Sequence, residues 1–150
     1  MKFVLNLQKF ADVVAQSDVG TTLYYNDGTS YSELIEVVSV PAEGSAGGTI
    51  EVTTLKSAVK QYIADRPDVP EQDFNYNYTE ANRTKANAVC DGEVHTFLVK
   101  FQDGSGYTIE GTAQTWANDV SRSSAVEATL HIVATNIEWK TSAEVTALLA

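Results

Sequence analysis

The stretch that most constrains this chain is Glu93 to Gln114, EVHTFLVKFQDGSGYTIEGTAQ. Two runs of β-prone residues flank Asp103-Gly104-Ser105-Gly106, a turn signal that predicts a hairpin. In the second arm Tyr107, Ile109 and Ala113 alternate with Thr108, Glu110, Thr112 and Gln114. That period of two gives one apolar face and one wholly polar face. The first arm sets His95, Phe97, Val99 and Phe101 on one side and the semi-apolar set Val94, Thr96, Leu98 and Lys100 on the other. An antiparallel pair with one face in a core and one in water follows. The rest of the chain packs on, extends or pairs with this hairpin.

Residues Met1 to Val19 fit neither period and read as an N-terminal arm that packs at home or reaches a neighbour. Thr21 to Tyr25 is a strand ended by the turn triplet Asn26-Asp27-Gly28. Tyr31 to Val40 carries Leu34, Val38 and Val40 on one face and Ile35 and Val37 on the other, the pattern of one strand buried on both sides or against a partner subunit. Pro41 stops it, a Gly-rich loop follows, and Thr49 to Thr53 resumes a strand. In the connection Thr54 to Glu71, Leu55, Val59, Tyr62 and Ile63 recur at helical spacing, which predicts an amphipathic helix before Pro67 and Pro70. It either packs on its own core or serves as an arm that docks on another subunit, and long connections are more often functional than idle.

Asp73 to Tyr78 reads as a strand. Thr79 caps one helix, TEANRTKANAVC, with Ala81, Thr84, Ala88 and Val89 as its small-residue face. After the hairpin, Thr115 to Ser124 reads as a polar loop containing Trp116. Ala125 to Thr135 reads as a last long strand, and residues 137–150 as a C-terminal tail with Trp139 and the weak apolar run Val145, Leu148, Leu149. There are no repeats and no domain boundary, so a single domain of 150 residues is expected. The fold class is mainly β, with two packed antiparallel sheets as a sandwich or barrel flanked by one α-helix.

Composition bounds function. A chain 43% hydrophobic and 20% charged has an ordinary globular balance. No apolar run approaches a membrane span, and Asn6, Gln8 and Lys9 interrupt any signal-peptide core. The single Cys90 excludes an internal disulfide framework, and a reducing cytoplasm is expected. The net charge of −10, with ten scattered Lys and Arg, makes the chain a poor binder of nucleic acid. It solubilises the surface or repels a polyanion.

Reactive chemistry is sparse. His95 and His131 sit in strands without metal-ligand spacing and read as structural. Asp91, Glu93, Asp103 and Glu110 lie at turns or on a polar strand face and read as solvated charges. Cys90 reads as a small filler at a helix end, since no base accompanies it. No nucleophile elbow, phosphate loop or dinucleotide fingerprint is present. No catalytic residue, metal ligand or cofactor is assigned.

The order of elements resembles a known family. Gly20-Thr21-Thr22-Leu23 opens a strand, and Ile50-Glu51-Val52-Thr53-Thr54-Leu55 runs into Lys60-Gln61-Tyr62-Ile63. Phe74-Asn75-Tyr76-Asn77-Tyr78, one helix, the Val99-Lys100-Phe101-Gln102-Asp103-Gly104 hairpin, Ile109-Glu110-Gly111 and a long final strand follow. From Gly20 to Glu138 this is similar to the major tail (tail tube) proteins of long-tailed bacteriophages. The resemblance implies a structural virion protein, not an enzyme, whose hexameric rings stack into the tail tube that delivers the genome. Its partners would be further copies of itself and the tail tip, tape-measure and tail terminator proteins. DNA would pass without specific binding, and no membrane would be involved. Assembly would take place in the host cytoplasm. The chain is expected to lack the additional immunoglobulin-like domain that some relatives carry. Leu55, Val59, Tyr62 and Ile63 fall in the segment that bridges subunits or rings in that family. The polar stripe Thr108, Glu110, Thr112 and Gln114 is expected to face the bore. The competing reading is a monomeric β-sandwich module that binds a host-surface glycan or protein through Trp116.

Overall fold

The computed structural model describes residues 19–150, and the expected N-terminal arm up to residue 18 lies outside them. The elements in order are β1 Thr22–Asn26, β2 Tyr31–Ile35, β3 Val37–Ser39, β4 Thr49–Glu51, β5 Tyr62–Ala64, β6 Gln72–Asn77, α1 Glu80–Ala88, β7 His95–Lys100, β8 Gly106–Ala117, β9 Glu127–Lys140 and α2 Ser142–Leu149. Among the described residues seven strands form one antiparallel sheet in the order β2-β1-β7-β8-β9-β6-β3, and β4 pairs only with β5. The protein is mainly β, as its alternating patterns predict.

The hairpin is the spine of the sheet. Gly104, at φ 89°, occupies a left-handed position in its turn, where a side chain would be strained. Phe101 N donates to Ser105 O at 2.8 Å and closes that turn. β8 then outruns β7: it pairs with β7 from Gly106 to Gly111, and with β9 along its whole length. The register shifts between Glu110 and Gly111, a bulge that bends the β8–β9 ribbon. On one side of the bend the ribbon carries β7, β1 and β2, and on the other β6 and β3.

The two halves of the sheet face each other across one core. Leu23, Phe97, Val99, Tyr107 and Ile109 from the first half share a buried cluster with Phe74, Tyr76, Ala128, Leu130 and Ile132 from the second. The buried Tyr107 hydroxyl donates to the carbonyl of Pro41, just past β3, at 3.3 Å. Burial pushes that phenol well above its ordinary pKa, so it stays a donor. Tyr107→Phe is expected to remove only this bond, costing about 1 kcal/mol and about 2–4 °C in Tm, measured by thermal circular dichroism. The two packed layers of the sequence reading are therefore halves of one curled sheet.

The predicted strand Tyr31 to Val40 is two strands. β2 and β3 lie at opposite ends of the sheet order, yet only Glu36 separates them in the chain. Residues two apart span at most about 7 Å, so the two rims lie side by side. The chain itself spans that seam, and the barrel is not closed. This crossing explains apolar residues on both faces: Leu34 is an unpaired bulge residue in β2, and it is buried together with Ile35.

Thr79 caps α1 as predicted, its Oγ1 accepting from Asn82 N at 3.1 Å. The buried face differs from the expected Ala81, Thr84, Ala88, Val89 set. Ala86 and Val89 enter the core, while Ala81 and Ala88 stay exposed. Thr84 is exposed too, and its hydroxyl donates to Glu80 O at 2.8 Å, a local bond open to this residue type mid-helix.

After the hairpin the strands run longer than predicted. Trp116 belongs to β8 rather than to a polar loop, because Thr115 to Ala117 stay in register with Ala128 to Leu130. Beyond residue 136, β9 continues to Lys140 and α2 follows as a second helix. A capping box starts α2: Thr141 Oγ1 accepts from Glu144 N, and the Glu144 carboxylate accepts from Thr141 N at 2.8 Å. α2 touches both β9 and β2, so it passes over β8, β7 and β1. Leu98 and Val145 are fully buried but lie outside the interior cluster, because α2 covers the outward face of the first half-sheet.

Candidate assembly surfaces

The segment predicted as an amphipathic helix is instead the far strand and tip of a hairpin arm. Ile50 pairs with Ile63 and Glu51 with Tyr62. The ladder extends outward through Val52 N to Gln61 O at 2.9 Å, and inward through Asp65 N to Gly48 O at 2.9 Å to a bridge between Ser45 and Asp68. Eight residue steps from Ser45 to Thr53 make an arm about 26 Å long. A short helix needs a surface to lie on, and here the β-branched run Thr49 to Thr53 supplies a strand partner instead. At the tip, Ser57 N donates to Thr54 O at 2.9 Å and the Ser57 hydroxyl accepts from Thr54 N at 3.3 Å, which fixes a turn.

The four residues predicted to dock therefore do not form one stripe. Leu55 and Val59 lie in the tip, whereas Tyr62 and Ile63 are neighbours on β5 and point to opposite faces. Register places Ile63 with Ile50 and Val52 on one face, and Tyr62 with Glu51 on the other. All of them are exposed, with Tyr62 and Ile63 each 52% accessible and Leu55 wholly so. The tip, Thr54 to Lys60, carries Lys56 and Lys60 and no acid, in a chain of net charge −10. Among the described residues an exposed pair between Lys60 and Glu51, at 4.0 Å, offsets it, a weak interaction. Strand β2–β3 leaves Val38 exposed as well.

The polar stripe of β8 keeps the predicted alternation, but its members differ in exposure. Glu110 and Gln114 are exposed, Thr112 is half-buried, and Thr108 is buried at 9% accessibility. Thr108 lies between Leu98 and Glu138 in register, under the path of α2. The semi-apolar side of β7 carried the signal: Leu98 lies on the outward face yet is fully buried, as is Val145 of α2, both outside the interior cluster. Beyond α2, the outward face of the second half-sheet leaves Asp73 and Gln114 exposed. There Asp73, His131 and Gln114 align across β6, β9 and β8.

Both histidines are held by carboxylates and rings. His131 Nδ1 is 2.5 Å from Asp73 Oδ1, its Nε2 is 3.8 Å from Glu71 Oε2, and its ring packs on Trp116 at 5.6 Å. His95 Nε2 is 2.8 Å from Asp91 Oδ1, and the ring meets Tyr25 edge-on at 5.3 Å. The Asp91 carboxyl is held below its usual range, first by the Glu93 backbone N–H and then by His95. Cys90 is half-buried and its Sγ donates to Ala86 O at 3.1 Å. Burial pushes the thiol above its ordinary pKa, which leaves less of the thiolate needed for nucleophilic attack. Among the described residues no cluster of three His, Cys, Asp or Glu is arranged to hold a metal ion. No helix among them is long and apolar enough to cross a membrane.

The fold and these surfaces define a mainly β protein that carries an exposed apolar hairpin outside its core. The chain belongs to the phage tail tube protein family, whose sequence profile matches residues 13–142. That family is structural and non-enzymatic, and its members are components of the phage tail. Among solved structures, the chain is similar to one in a cryo-EM structure of the anti-feeding prophage baseplate, 6-fold symmetrised, with a TM-score of 0.59. The two are 7% identical, and the match covers 81% of this chain and 91% of that one. That likeness is one of fold. No curated protein matches the sequence.

Proposed function

We propose that this protein builds the wall of the phage tail tube: its subunits close into hexameric rings, and the rings stack around a channel for the genome. The single observation that carries this reading is the arm, which exposes Ile50, Val52, Leu55, Val59, Tyr62 and Ile63 instead of burying them at home. A soluble monomer gains nothing from an apolar hairpin held in water, and a subunit of a polymer buries it against its neighbour. The prophage baseplate structure that shares the fold is 6-fold symmetrised, which agrees with a ring of six.

In this reading the bore is lined by the exposed members of the polar stripe, Glu110 and Gln114, with Thr112 beside them. Carboxylates and amides there hydrate and repel the phosphate backbone of passing DNA instead of holding it. Thr108 contributes only where α2 moves aside. Tail tip, tape-measure and terminator proteins are the partners at the ends of such a tube, and assembly takes place in the host cytoplasm. Negative-stain microscopy and sizing of the purified protein test the proposal. Rings or tubes are expected, and a monomer that persists at every concentration would overturn it in favour of a solitary binding module. In that module Trp116 would bind with the ring area left exposed beside its contact with His131.

A further inference from the structure

β9 carries an open edge that its own chain has turned away from. β6 pairs with β9 only from Glu127 to Ile132. Before Gln72 the chain leaves the ladder at Pro70, with Pro67 three residues further back, and proline has no N–H to donate to a ladder. Among the described residues, β9 is therefore paired from Val133 to Lys140 on one side only, with β8. Its last five residues, Asn136 to Lys140, lie in unbroken register with Glu110 to Gly106 beyond the bulge. Ile137 and Trp139 fall on the face that continues the core, and Trp139 remains 60% accessible. The charged residues on this edge, Glu138 and Lys140, neutralise each other at 2.7 Å, which holds the Glu138 carboxyl down and the Lys140 amine up. An open, regular edge with neither proline nor uncompensated charge is a template for another strand.

The arm has the matching part. It offers β4, Thr49 to Glu51, with Val52 carrying the ladder one residue further, and among the described residues the outer backbone edge of β4 has no strand partner. Its apolar pair Ile50 and Val52 is spaced like Ile137 and Trp139, two residues apart on one face. In its own chain the arm stays exposed.

We infer that the β9 edge, Asn136–Lys140, receives the β4 strand of a second copy's arm, with Ile50 and Val52 laid beside Ile137 and Trp139. This rests on the reading that the subunits polymerise, and deepens it by naming both halves of one contact. Strand addition supplies main-chain hydrogen bonds for affinity and side-chain alternation for register. The contact is heterologous, because the donor and acceptor surfaces differ. Such contacts propagate into closed rings or open filaments, whereas a self-complementary one stops at a dimer.

The test places one cysteine per chain in a Cys90→Ser background. One chain carries Ile50→Cys or Val52→Cys, and a differently tagged chain carries Ile137→Cys or Trp139→Cys. The two are mixed under assembling conditions and oxidised. At least one of the four pairings is expected to give a disulfide between the two chains, about tenfold above an opposite-face control with Glu51→Cys, since disulfide geometry is demanding. Tubes without a cross-link in any pairing would overturn the inference and leave the tube reading standing. Neither tubes nor cross-link would overturn both. A disulfide formed within one dilute chain that carries both cysteines would also overturn it, since the arm would then dock at home. Hydrogen exchange of the unmodified protein gives a second readout that needs no variant. The amides of Asn136 to Lys140 that point away from β8 should slow by about tenfold or more on assembly, and unchanged exchange at those amides in formed tubes would overturn the inference.

Discussion

A double variant, Tyr62→Asp with Ile63→Asp, is expected to fold as well as the parent and to fail to polymerise. Both side chains are half-exposed on β5, outside the core cluster. Substitution at such sites changes stability by about 0.5 kcal/mol or less, so the circular dichroism melt should barely move. In an assembly, however, the two new carboxylates would be buried without partners, which costs several kcal/mol per charge after relaxation. At about 1.4 kcal/mol per tenfold, that is a loss of at least a hundredfold in association. Light scattering and microscopy at concentrations where the parent forms tubes check the result. Normal tubes from the double variant would show that the arm lies outside every subunit contact.

Gly111→Ala should have the opposite signature, destabilising the body itself rather than its contacts with other subunits. Gly111 sits at the bulge where the β8–β9 ribbon bends. A Cβ there would lie 2.3 Å from the Val133 carbonyl oxygen, 2.9 Å from its carbon and 3.0 Å from Ala134 Cα. All three atoms are backbone of the next strand, so no side-chain rotation relieves the clash. β9 must lift from β8 at the point that sets the two half-sheets against each other. A destabilisation of about 3 kcal/mol, at the upper end for overpacking, is expected, or about 6–12 °C in Tm for a chain of this length. A loss below about 1 kcal/mol would show that the bend yields easily.

These two sites also mark where the sequence was legible. The hairpin, β6 and the Thr79 cap of α1 follow from short-range rules, namely period-two alternation, a Gly-containing turn and a hydroxyl N-cap, and each forms where those rules place it. The arm was misread because Leu55, Val59, Tyr62 and Ile63 match a helical period by spacing alone. Their partner, Thr49 to Thr53, lies across a loop that periodicity does not see. The crossing at Glu36 was missed for a related reason. Apolar residues on both faces of Tyr31 to Val40 fit a doubly buried strand as well as one that leaves one rim of the sheet for the other. The polar stripe of β8 was read correctly as a stripe, but exposure along it depends on α2, which packs through long-range contacts. Strand edges left open by Pro67 and Pro70 appear only once the ladder registers are known.

The single residue Glu36 between opposite rims of the sheet has a mechanical consequence. A tube wall is loaded when a tail bends or its contents move, and sheets usually fail by peeling at a rim. Here the two rims are tethered by covalent bonds across a gap too short to stretch, so a pull on one is shared at once with the other. Lengthening that tether by a few glycines would let the body splay under load while leaving every hydrogen-bonded pair available to form.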